Sequence, residues 1–168
     1  MPEVFIGVGS NIEPARHLRA ALVALAERYG VLRVSPLYRN PSVGFHGEDF
    51  LNMVIGFDTD ESVESVASCL TAIETANGRG RSEAKFAPRT LDLDLLLYGD
   101  LQDDVGGVTL PRDEILRYAF VLKPLSDLAP DHRHPVTGAR FADLWAQFDG
   151  GAHRLERVEI DLAGRDAH

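Results

Sequence analysis

The chain has 168 residues, 45% of them hydrophobic, with 26 acidic against 17 basic side chains and a net charge of −9 at pH 7. That length suffices for one domain with a sizeable core, and the negative balance argues against nonspecific nucleic-acid binding, which needs many Lys and Arg to neutralise phosphate. Cys69 is the single cysteine, so an internal disulfide is excluded; with no signal-peptide pattern and no apolar stretch of membrane-spanning length, the expected compartment is the cytoplasm.

In chain order, residues 4–9 read as a first strand and 14–29 as a helix with apolar positions at Leu18, Ala21, Leu22 and Leu25, stopped by Gly30. Residues 31–38 read as a second strand, 50–57 as a third, 62–76 as a second helix and 91–98 as a fourth strand. The order βαββαβ predicts an α+β, ferredoxin-like sandwich with helices on one face of a mainly antiparallel sheet. Additional C-terminal elements are expected: helical pieces at 116–125 and 141–148 and a short strand at 158–162. A single domain over residues 1–163 is expected, with 164–168 as a disordered tail.

The fourth strand carries the sharpest signal. In Leu91-Asp92-Leu93-Asp94-Leu95-Leu96-Leu97-Tyr98 two carboxylates interrupt an apolar run. Alternation puts Asp92, Asp94 and Leu96 on one face, and Leu91, Leu93, Leu95 and Leu97 in a core on the other. Side chains two apart on a strand are about 6.5 to 7 Å apart, close enough for both carboxylates to share one or two hard cations. Just upstream, Arg79, Arg81, Lys85 and Arg89 lie in a loop punctuated by Gly78, Gly80 and Pro88. Paired aspartates beside a basic loop suit Mg²⁺-nucleotide chemistry, in which the metal bridges carboxylate to phosphate and guanidinium takes up phosphate charge. The same residues fit two plainer readings: ion pairs between the aspartates and Arg79, Arg81 or Arg89, or carboxylates facing solvent from a half-exposed sheet.

Other motifs are weaker. Gly7-Val8-Gly9-Ser10-Asn11 lacks the Gly-Lys-Ser/Thr end of a Walker loop and reads as a structural turn before the first helix. The six histidines form no metal-ligand pattern, and His132 and His134 read as surface polar residues.

The string Ala87-Pro88-Arg89-Thr90-Leu91-Asp92-Leu93-Asp94-Leu95-Leu96 resembles the signature of the 6-hydroxymethyl-7,8-dihydropterin pyrophosphokinases, folate-pathway enzymes that move a pyrophosphoryl group from ATP to a pterin alcohol. The opening Val4-Phe5-Ile6-Gly7-Val8-Gly9-Ser10-Asn11, the segment from Tyr38-Arg39-Asn40-Pro41 to Asp49-Phe50-Leu51-Asn52, Leu110-Pro111 and the run from Ala119 to Leu125 are similar to the family's other motifs. Together they cover residues 4 to about 144, and several ordered motifs are more specific than one.

The resemblance implies a division of labour. Asp92 and Asp94 would bind two Mg²⁺ ions, and Arg79 and Arg89 would serve as catalytic residues that stabilise charge on the transferred group. Pterin would be held by Asn40, Val43, Phe50, Asn52, Phe86 and Phe120, with Phe50 and Phe120 on either side of the ring and the Asn52 amide reading its edge. ATP, the co-substrate, would meet Glu74, Arg81, Lys85, Leu95 and Arg112. The implied partners are these small molecules, without nucleic acid or membrane, on a monomer or weak oligomer. Residues 78–88 would act as a lid that orders over ATP-Mg²⁺, with Phe86 covering the pterin side.

The chain also departs from the family pattern. Phe86-Ala87 replaces a common Trp-Gly, Arg112 stands where a His is usual, Gly107 where a basic residue is frequent, and Tyr118 at a basic position, with Arg117 one residue earlier. The changes at 107, 112 and 118 fall in the ATP half and leave open an alternative, a pterin- or nucleotide-binding paralogue without catalysis or with altered specificity.

Overall fold

The computed structural model describes residues 1–40, 49–78, 91–105, 107–148 and 155–162. Its main sheet is built from β1 (Glu3–Ser10), β2 (Arg33–Val34), β3 (Leu37–Asn40), β4 (Phe50–Asp58), β5 (Asp92–Tyr98) and β8 (Glu156–Val158). The strands lie in the order β5-β1-β4-β3-β8, with β2 also on β4, and every pairing is antiparallel. A separate hairpin joins β6 (Asp103–Val105) to β7 (Val108–Leu110).

Helices cover the sheet on two sides. Two long helices, α1 (Pro14–Tyr29) and α2 (Val63–Ala76), lie on one face. Leu18, Ala21 and Leu25 of α1 and Val63, Val66, Leu70 and Ile73 of α2 share a core with Val4, Ile6, Val8, Met53, Ile55, Phe57, Leu93 and Leu95 of the strands. The helical spacing of the first set and the alternation of the second make this one continuous apolar layer. Each fully buried Leu or Ile in it contributes about 1.5 to 3 kcal/mol. Pro at the first turn starts α1, and the Ser62 hydroxyl caps α2 by accepting from the Ser65 N–H at 3.1 Å.

The opposite face is covered by α3 (Glu114–Arg117), α4 (Ala119–Leu128) and α5 (Phe141–Gln147). Ile115, Val121, Leu122, Leu125 and Phe141 pack there on Phe5, Val54, Leu96 and Leu97. The expectation of helices on one face alone is therefore corrected: the C-terminal helices bury the second face.

Two strand readings are corrected by irregular pairing. Leu97 does not follow Leu91, Leu93 and Leu95 into the first core; it packs with Leu96 against the C-terminal helices. The β1/β5 register shifts between Phe5 and Ile6, leaving Leu96 as an extra residue, so the phase of the strand flips after Leu96. The strand expected over 31–38 is interrupted at Pro36, which has no N–H to pair. Ser35 bridges the break: its N–H donates to the Val54 carbonyl and its hydroxyl accepts from the Val54 N–H, at 2.9 and 2.8 Å. The last strand also falls earlier than the expected 158–162, pairing Leu37 with Val158 and Arg39 with Glu156.

β5 ends the sheet, and its outer edge is occupied by other parts of the chain. The Leu93 N–H donates to Glu74 Oε2 at 2.8 Å, and the Leu96 carbonyl accepts from the Arg112 N–H at 2.9 Å. The aspartate strand is thereby held from both sides. No helix among the described residues is long and apolar enough to cross a membrane.

Candidate functional site

Register brings polar residues of three strands, with a glycine of the fourth between them, into one row on the face covered by α4. Asp92 on β5 is opposite Gly9 on β1, Gly9 is opposite Asn52 on β4, and Asn52 is opposite Tyr38 on β3. Directly opposed residues point to the same face. One step along, Asp94 is opposite Gly7 and Gly7 opposite Val54, so the carboxylates and the Asn52 amide flank a strip made only of glycine. Two inter-strand steps separate Asp92 from Asn52, about 9 to 10 Å. Gly9 lets the Asn52 amide lie close against β1: a Cβ there would sit 2.5 Å from Asn52 Oδ1 and push the amide aside. On the far side of Asn52, its Nδ2 donates to Asn40 Oδ1, and Asn40, opposite Phe50 in the ladder, is buried.

Supports for this row come from α4. The Tyr38 hydroxyl donates to Asp127, whose other oxygen accepts from Lys123 Nζ at 3.0 Å, and Lys123 also lies over the Trp145 ring. Burial and that hydrogen bond raise the Tyr38 pKa, which keeps the hydroxyl a neutral donor. Phe120 is stacked on Tyr118 with ring centroids 5.0 Å apart and packs at the edge of the second core, half-buried.

At the other end the electrostatics are unbalanced. The Asp94 side chain keeps 37% of its surface exposed, yet the protein atoms crowded round its inner side, and then the Asp92 carboxylate beside it, push its pKa above the ordinary carboxylate range; Glu74 adds to the effect and Arg112 opposes it. Arg112 reaches Asp94 Oδ1 through an η nitrogen at 3.4 Å and Glu114 Oε1 through Nε at 3.1 Å. A longer, single-point bond to Asp94 leaves much of that carboxyl's acceptor capacity for another cation. Among the described residues no three His, Cys, Asp or Glu side chains converge on one point. The two carboxylates make a donor set that fits Mg²⁺, which takes one or two carboxylates and completes its shell with water and substrate phosphate.

The other sequence-predicted residues fall as follows. Glu74, which would pass for a solvated helix acid, is instead buried and holds the main chain of β5. Leu95 is 3% exposed, in the core beneath α1 and α2. His134, expected at the surface, is buried, with Nδ1 accepting from the Val136 and Thr137 N–H groups. Arg79, Arg81, Lys85, Phe86, Arg89 and Val43, with the lid assigned to 78–88 apart from Gly78 and the tail at 164–168, lie outside the described residues. Sequence reasoning missed Glu114, which anchors Arg112, and the Tyr38–Asp127–Lys123 support. Only the Glu-after-Arg spacing at 112 and 114 hinted at the first.

The profile of the 7,8-dihydro-6-hydroxymethylpterin-pyrophosphokinase family matches residues 5–130. A 2-amino-4-hydroxy-6-hydroxymethyldihydropteridine pyrophosphokinase from Synechocystis is 37% identical over 95% of this chain and 83% of its own length. Its counterpart from Pseudomonas aeruginosa is 41% identical over 79% of this chain and 83% of its own. Among solved structures, the Plasmodium falciparum HPPK-DHPS with pteroate superposes with a TM-score of 0.71 at 11% identity, over 87% of this chain. The chain spans 42% of that Plasmodium protein, and the likeness there is one of fold. With the family profile matched over most of its length, this chain belongs to the 7,8-dihydro-6-hydroxymethylpterin pyrophosphokinase family.

Proposed function

We propose that this pyrophosphokinase of folate synthesis transfers the terminal pyrophosphoryl group of ATP to the hydroxymethyl oxygen of 6-hydroxymethyl-7,8-dihydropterin, with Mg²⁺ held by Asp92 and Asp94. The observation that carries the reading is the glycine strip between those carboxylates and the Asn52 amide. Without Cβ atoms at Gly7 and Gly9, the Asn52 amide closes over β1 on one side and Leu96 on the other, and a flat bicyclic ring set against that low wall would put its amide-like edge at Asn52 and its hydroxymethyl arm toward the aspartates. The strand order β5-β1-β4-β3, with α1 and α2 on one face, supports the ferredoxin-like description of the scaffold.

Each residue then has a task. Asn52, oriented by Asn40, reads the ring edge. Phe120 and Phe50 supply aromatic walls and exclude water, and Asn40 and Val43 add main-chain contacts. Metal ions bound at Asp92 and Asp94 supply charge neutralisation at the phosphates. Arg79 and Arg89 take up charge that redistributes as the bond between the β-phosphorus and the α,β-bridging oxygen breaks, and Arg112, Arg81 and Lys85 hold the nucleotide's phosphates. The hydroxymethyl oxygen gains the β-phosphorus and loses its proton, and AMP departs. Glu74 acts through β5, fixing the strand that carries both aspartates. Phe86 closes the pterin side. The expected location is the cytoplasm.

Purified protein with ATP, Mg²⁺ and the dihydropterin alcohol should release AMP stoichiometrically with pterin diphosphate. Release of ADP, or AMP release that does not depend on the pterin, would refute the reaction.

A further inference from the structure

We propose that Arg112 is a built-in counter-cation of the Asp92/Asp94 site, with Glu114 as its second seat, so that divalent metal and the guanidinium compete for Asp94 and the nucleotide's phosphates resolve the competition. The inference rests on reading Asp92 and Asp94 as metal ligands and concerns what holds that site before substrate arrives.

The geometry supports a divided guanidinium. Its backbone is pinned to β5, since the Arg112 N–H donates to the Leu96 carbonyl at 2.9 Å, two residues beyond Asp94. From that root the side chain is shared, with Nε on Glu114 at 3.1 Å and an η nitrogen on Asp94 at 3.4 Å. The shorter contact lies on the seat that is not a proposed ligand. All three groups are only half-buried, with Arg112 30%, Glu114 29% and Asp94 37% exposed, so the guanidinium can leave Asp94 without stranding a charge in the core. A planar guanidinium also has more donors than these two bonds use, and a phosphate is a better bidentate partner than a single carboxylate oxygen. Before substrate binds, Arg112 offsets part of the Asp92–Asp94 repulsion. When triphosphate arrives, its oxygens take the guanidinium and Asp94 becomes free for the metal. Nucleotide and metal are thereby positively coupled, and the coupling is reciprocal.

Two titrations test this on the full chain. In the first, Mn²⁺ alone is added and the free ion is followed by electron paramagnetic resonance. Arg112→Ala should bind Mn²⁺ about two- to fivefold more tightly than wild type, the range of a partly exposed ion pair, Arg112→Lys should stay near wild type, and Glu114→Gln should bind it more weakly. The double variant should match Arg112→Ala, because Glu114 acts only through the guanidinium; simple loss of charge would add instead. In the second, a fluorescent ATP analogue is titrated in EDTA, where Asp94→Asn should bind it more tightly and Arg112→Ala more weakly. Mn²⁺ affinity unchanged or reduced in Arg112→Ala, or additive single effects, would overturn the role of Arg112 while leaving the metal site intact. Mn²⁺ binding that Asp94→Asn does not diminish would remove the metal reading, and this inference with it.

Discussion

The two faces of the sheet are written by alternate residues of the same strands, yet they differ in kind. Beneath α1 and α2 the strands present Val4, Ile6, Val8, Met53, Ile55, Leu93 and Leu95, a mostly apolar layer with buried Ser10, His17 and Glu74 around it. On the other face, Phe5, Val54, Leu96 and Leu97 are covered by the C-terminal helices, and the layer then gives way to Asp92, Asp94, Asn52 and Asn40 around Gly7 and Gly9. The closed face supplies stability. The half-closed one supplies chemistry, because only there can polar strand residues meet a ligand without a burial cost that protein partners must offset.

If that division is right, substitutions on the two faces fail in different ways. The largest effect is expected at the metal ligands: Asp92→Ala or Asp94→Ala should lower AMP formation at saturating Mg²⁺ at least about 10³-fold, the equivalent of several kcal/mol, with an unchanged circular dichroism spectrum. Near-normal turnover in both variants would break the comparison. On the closed face the signs reverse. Truncating Leu18, 0% exposed under the sheet, to Ala should cost about 2 to 5 kcal/mol, read from urea unfolding, while the folded fraction keeps wild-type kcat.

Smaller effects sharpen the map of the open face. Asn52→Ala should weaken pterin binding by about 1 to 3 kcal/mol, the cost of a lost buried hydrogen bond, with little change in ATP affinity; calorimetry separates the two. Gly9→Ala should mimic it, since the new methyl meets the Asn52 amide at 2.5 Å and displaces it from its seat against Asn40. Normal pterin affinity in the Gly9→Ala variant would remove the glycine strip from the site.

How much of this the sequence discloses depends on where each residue's partner lies. Asp92 and Asp94 are legible because strand period and contrast with the flanking leucines are local. The α1 and α2 stripes are legible for the same reason. Leu97 is not, since its side is decided by a register shift opposite Phe5, and Phe5 lies across Gly56, where a Cβ would be 2.9 Å from the ring. Glu74 is illegible because its partner is the main chain of Leu93, and a backbone N–H leaves no mark in a sequence. The second helical layer is divided among short, partly apolar pieces whose packing partners are strand residues far upstream. The family resemblance pointed to Asn52 and Phe120, but not to the Tyr38–Asp127–Lys123 bonds beneath the same row.

The smallest expected effect is on stability, and its sign follows from Asp94. Its folded-state pKa lies above its unfolded value, chiefly through desolvation and then through Asp92 and Glu74, with Arg112 only partly opposing. Between those two pKa values the native chain holds more protons than the unfolded one, so stability falls with rising pH over that window. The contribution is complete below the unfolded value and lost as pH passes the raised one. Other carboxylates titrate in the same range, so the useful quantity is a difference: the stability of Asp94→Asn minus that of wild type, both in EDTA, should grow as pH rises and level off once Asp94 is ionised. Saturating Mg²⁺ should shrink this difference at neutral pH, since a cation bound by the ionised carboxylates stabilises the wild-type native state in proportion to ligand excess. A pH-independent difference measured by urea unfolding would show that Asp94 is no more crowded than an ordinary surface carboxylate, and the contrast between the two faces would then rest on the metal-ligand variants alone.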